Sequence, residues 1–166
     1  MNQAAIAHPS EVINRVLAYP VPNDVIEKYA DKYALTEVVA HEHERELKRY
    51  LAMCLAQPDA EYGMFGPIDE FWHTWVLFTR EWWEFSQSVA GHYIHHRPTT
   101  RKEKELVLSG VIPSGYARFL ADYAAFFGEE PPAELWPRAL EAMAGADCTC
   151  STCTGGCSHN ECAGGG

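Results

Sequence analysis

The stretch TEVVAHEHERELKRYLAMCLAQ, residues 36–57, decides the fold. Ala40, His43, Leu47, Tyr50, Leu51 and Cys54 recur in it at three- and four-residue spacing, which is one apolar stripe of an α-helix. Thr36 stands where an N-cap belongs, and the helix is expected to run to about Gln57. Further on, DEFWHTWVLFTREWWEFSQSVA at residues 69–90 carries Trp72, Trp75, Val76, Thr79, Trp82 and Trp83. It predicts a second long helix, capped by Asp69 and stopped by Gly91, with enough aromatic mass to centre the core.

Working outward, Ser10 can cap a short helix that ends before Pro20, and Asn23 can cap another to about Tyr33. Helices are expected at Thr100–Ser109 and Ser114–Phe127, with a last one from near Pro132 to Gly145. No period-2 alternation is long enough for a sheet, and no internal repeat is present. The expected fold class is therefore all-α: a single bundle of about six to seven helices.

The chain has 166 residues, the length of one domain, and 47% of them are hydrophobic, so a core without staples is feasible. A composition shift at Ala144-Gly145 divides a folded body, 1–145, from an unstructured Cys/Gly-rich tail, 146–166. The formal net charge of -10 argues against nucleic acid, which needs local positive charge. The basic runs Arg45–Arg49 and Arg101–Lys104 are interrupted by Glu and read as solvated helix faces. Met1–Val16 lacks the basic and apolar regions of a signal peptide, and no apolar run approaches a membrane span. These features predict a cytoplasmic protein without a membrane partner, in which the six cysteines are thiols or metal ligands.

Four clusters carry ligand chemistry. Asp69 and His73 are four apart, on one helix face, and together suit Zn, Fe or Mn. The competing reading makes Asp69 a cap and His73 a hydrogen-bonded core residue. In His92-Tyr93-Ile94-His95-His96-Arg97-Pro98, Pro98 holds Arg97 extended. His95 and His96 then point to opposite sides, so one of them faces His73. His43 lies on the apolar stripe and His41 does not; His43 is a candidate fourth ligand. The tail offers Cys148, Cys150, Cys153, Cys157, His159 and Cys162, whose thiolates select Zn or Cu(I).

No nucleophilic triad motif, phosphate loop or HExxH occurs. The sequence therefore predicts a transition-metal-binding protein, with Zn or Fe at Asp69, His73, and His96 or His95. No reaction is assigned, and a protein partner can engage the tail. The alternative is an interaction scaffold whose cysteine-rich tail sequesters soft metal or is itself modified. Cys54 is expected to be a small core residue.

Glu46-Leu47-Lys48-Arg49-Tyr50-Leu51, Pro67-Ile68-Asp69-Glu70-Phe71-Trp72-His73-Thr74, Thr79-Arg80-Glu81-Trp82 and Gly91-His92-Tyr93-Ile94-His95-His96-Arg97-Pro98 together resemble the glycine-rich domain-containing protein-like family. The resemblance covers residues 36–100 and the character of the tail. Trp82 stands where that pattern has Tyr, and Ser86 where a Cys often follows. The resemblance implies a helical fold and points to Asp69, His73 and His96; it supplies no reaction.

Overall fold

Thr36 caps its helix as the sequence predicts: its hydroxyl accepts from the Val39 amide at 3.3 Å. The computed structural model describes residues 9–64, 66–97, 100–102, 105 and 115–136. The helices are α1 (Pro9–Ala18), α2 (Asn23–Tyr33), α3 (Glu37–Ala56), α4 (Pro67–Leu77), α5 (Thr79–Ala90) and α6 (Gly115–Phe127), with one 3-10 turn at Pro58–Ala60. Among the described residues there is no strand. The protein is all-α. The expected tail, with Cys148, Cys150, Cys153, Cys157, His159 and Cys162, lies outside the described residues. So do most of the helices expected after Thr100 and after Pro132.

α3 is the centre of the bundle and packs against α1, α2 and α4. Its predicted stripe is inside: Ala40, His43, Leu47, Tyr50 and Leu51 are buried, and Cys54 packs against them. Burial pushes the Cys54 thiol up to about 12, so it is an inert neutral group. The Trp cluster also sits in the core, with Trp72, Trp75 and Trp82 buried. Trp83 is not part of it: it is 54% exposed, because one residue past Trp82 turns it about 100° round the helix.

Three local expectations are corrected. The expected helix over residues 69–90 is two helices, broken at Phe78 (φ -82, ψ 69), which ends α4 and begins α5. The Phe78 amide bonds Trp75 O and its own carbonyl accepts from Trp82 N, so the break leaves both groups satisfied. Asp69 is not the cap: Gly66, at φ 94, is the N-cap, and Pro67 opens the helix. Asp69 thus sits in the first turn, where a carboxylate complements the helix dipole. Ser10 and Asn23 likewise lie just inside their helices, after Pro9 and Pro22. By contrast, Gly91 stops α5 as predicted, in the left-handed region at φ 73.

The basic run of α3 is no fully solvated face. Glu46 is fully buried, and Arg49 is only 19% exposed in its side chain. Glu46 Oε1 pairs with Arg49 Nη1 at 3.1 Å, and its Oε2 accepts from Tyr123 OH and Trp136 Nε1, both at 2.8 Å. The segment that follows α6 is thereby tied to α3, with the Trp136 and Tyr50 rings stacked 6.2 Å apart.

Candidate functional site

α4 supplies two donors on one face. Asp69 in the first turn and His73 one turn later bring Asp69 Oδ1 within 3.8 Å of His73 Nε2. The third donor comes from the chain after α5. There the chain has no regular secondary structure, and its side chains alternate between exposed and half-buried from Tyr93 to Arg97. Ile94 packs on the core and His96 faces α4, while Tyr93 and His95 stand on the other side, exposed, with their rings 4.9 Å apart.

Two tryptophans set the position of His96. Trp82 Nε1 donates to the Ile94 carbonyl at 3.0 Å, pinning the chain two residues before His96. The Trp72 ring lies 4.2 Å from the His96 ring and forms its floor. The break at Phe78 matters here, because it turns α5 so that Trp82 meets both Trp75, at 5.1 Å, and Trp72, at 6.0 Å.

His96 Nε2 lies 2.7 Å from His73 Nε2 and 3.5 Å from Asp69 Oδ1. One ligand atom from each of Asp69, His73 and His96 lies within 4.8 Å of the others, the one such group of three among the described residues. Ligands held about 2.0–2.2 Å from a single ion stand roughly 3.0–3.5 Å apart. The separations of 2.7, 3.5 and 3.8 Å straddle that range. Burial, with the His73 charge adding to it, pushes the His96 imidazole down to about 4. His96 is therefore neutral at pH 7, the form that ligates. The His96 side chain is 14% exposed, Asp69 32% and His73 38%, so the three donors lie at a shallow edge open to solvent.

The remaining His candidates go elsewhere. His95 is on the solvent side and outside the group. His43 is buried on α3, and its Nδ1 lies 2.7 Å from Tyr29 OH, which also donates to the Pro67 carbonyl at 3.2 Å. His43 thus supports the start of α4 from below and is not in the group. Burial lowers its pKa, against an opposing pull from Glu42. Sequence reasoning passed over Glu70 and Tyr33. Glu70 Oε2 lies 3.9 Å from His73 Nδ1 and accepts from the Tyr33 hydroxyl of α2. Glu70 is three residues before His73, a helical spacing that was there to be read.

Residues 11–107 match the UCP032817-like family. The chain belongs to that family. The match overturns the resemblance to the glycine-rich domain-containing protein-like family, whose short motifs do not carry the assignment. It spans most of α1, all of α2 to α5 and the segment bearing His96, so every donor of the group lies inside it. The family is uncharacterised and brings no reaction with it. No curated protein and no solved structure gives a significant match to the chain. No helix among the described residues is long and apolar enough to cross a membrane.

Proposed function

We propose that this family member binds one divalent transition-metal ion, Zn or Fe, through Asp69 carboxylate oxygen and the Nε2 atoms of His73 and His96. The observation that carries the reading is the convergence of three N/O donors from two chain segments, 23 residues apart at His73 and His96, on one partly exposed point. Two imidazoles and a carboxylate suit Zn with an open position, or Fe in a two-His-one-carboxylate arrangement. Such an ion supplies Lewis-acid chemistry as Zn and oxygen chemistry as Fe. The chain's own part is to hold His96 neutral and aimed, by Trp72 and by the Trp82 bond to Ile94. Cys148, Cys150, Cys153, Cys157 and Cys162, with His159, form a second, soft-metal site for Zn or Cu(I) under this reading. Such thiols stay available in a reducing cytoplasm.

A second reading keeps the cluster metal-free, since 2.7 Å is itself a hydrogen-bonding distance between two imidazole nitrogens. It makes the body a scaffold and leaves metal to the tail. Elemental analysis of as-isolated protein separates the two. The samples are the full chain and a full-length variant with all five tail cysteines changed to Ser. About one equivalent of metal retained by the variant, and lost on adding His73→Ala, supports the first reading. Metal that leaves entirely with the tail thiols supports the second.

A further inference from the structure

We infer that Glu70, held by Tyr33, is a positioning residue that fixes the His73 imidazole with Nε2 aimed at the ion. This rests on the metal reading above. Both imidazoles present Nε2 to the shared point, so His73 Nδ1 is left facing away from it, toward Glu70 Oε2 at 3.9 Å. A metal-bound imidazole donates its other N–H to a carboxylate, carbonyl or water, and that bond sets tautomer and ring orientation. Here the distance is about 1 Å longer than an N–H···O bond, and the inference is that ion binding at Nε2 closes it.

The carboxylate is itself held. Tyr33, on α2, donates to the same Oε2 that faces His73. Tyr33 in turn packs on Tyr29, with ring centroids 4.9 Å apart, and Tyr29 bonds His43 and Pro67 O. A continuous chain of contacts thus runs from α3 through α2 to His73. His73 is the more exposed imidazole of the two, 38% against 14%. It is the ligand that needs an outside group to orient it.

The test uses the full chain with its five tail cysteines changed to Ser, titrated with Zn against a chromophoric chelator. Glu70→Ala should weaken Zn binding about 10–100-fold. Glu70→Gln should lose less, because its amide oxygen still accepts from Nδ1–H. Tyr33→Phe should shift affinity in the same direction by less, and add nothing to Glu70→Ala. Long-range proton–nitrogen NMR of His73 should show Nδ1 protonated in the parent and mixed tautomers in Glu70→Ala. Unchanged affinity and tautomer in Glu70→Ala overturn the inference while leaving the metal reading intact. Loss of Zn in Glu70→Ala and Glu70→Gln as complete as in His73→Ala overturns it too, and makes Glu70 a ligand. A parent chain that binds no Zn overturns the metal reading itself, and this inference with it.

Discussion

His73 Nε2 and His96 Nε2 lie 2.7 Å apart, one on α4 and the other on the segment that follows α5. At that distance one imidazole donates and the other accepts, or an ion replaces the proton between them. On the proposed reading each His is a ligand, so replacing either with Ala should lose more Zn affinity than the roughly 10–100-fold expected for an outer residue. His95→Ala, on the solvent side, should change affinity little. Chelator competition on the four proteins checks this, and equal loss in all three variants would sink the assignment of His96.

The His96 shift also predicts a pH dependence of folding in metal-free protein. Its folded value is about 4, whereas an unfolded His titrates near 6.5. Below pH 6.5 the unfolded chain binds more protons than the folded one. The contribution of His96 is therefore fully present above pH 6.5 and is lost as pH falls toward 4. His43, lowered by burial, acts in the same direction. Urea midpoints measured with chelator at pH 7.5, 6.0 and 5.0 should fall in that order. His96→Gln should flatten part of the slope, and a wild-type slope left intact by that substitution would refute the cause.

Much of this was legible in the sequence. The stripe from Ala40 to Cys54 reports the buried face of α3, because burial on one side of a helix imposes its spacing on side chains. Alternation after Gly91 says that His95 and His96 point to opposite sides but not which of them faces His73; the partial burial of His96 and the exposure of His95 make that choice. The break at Phe78 was not legible, since neither Gly nor Pro marks it. It is set by packing Trp72, Trp75 and Trp82 together, a tertiary demand that leaves no local signature. Glu46 was misplaced for a similar reason. Between Arg45 and Leu47 it reads as solvent-facing, and its partners Tyr123 and Trp136 lie 77 and 90 residues away.

Glu46 is the buried charge on which the end of the described bundle depends. Its carboxylate meets Arg49, Tyr123 and Trp136, and Arg49 also pairs with Glu129 and donates to Tyr123 OH at 2.6 Å. Glu46→Ala strands these donors and should cost about 3–5 kcal/mol in urea unfolding. Glu46→Gln keeps an acceptor for Trp136 or Tyr123 and should cost less. A loss below about 1 kcal/mol for Glu46→Ala, the range of exposed ion pairs, would contradict the network.

Gly115 gives a backbone test of the same region. A Cβ built there meets the Glu61 carbonyl oxygen at 2.3 Å and the Gly63 amide nitrogen at 2.8 Å. Both are main-chain atoms, so no rotamer relieves the contact. The segment they belong to is also fixed by Tyr50 OH on Tyr62 O at 2.8 Å and by Arg118 on Ala60 O at 2.6 Å. Gly115→Ala must push that segment off α6, and overpacking of this kind costs about 1–3 kcal/mol, against a helix propensity gain of roughly 1 kcal/mol. Gly128→Ala is the matched control: nothing lies within 4 Å of its Cβ, but its φ of +72 is left-handed. That conformation costs an Ala about 1–2 kcal/mol with no steric clash. Both variants should be destabilised, but Gly115→Ala alone should free Tyr62, seen as faster amide exchange over residues 60–63. Normal exchange there, with stability at or above wild type, would show that α6 and the segment do not touch as described.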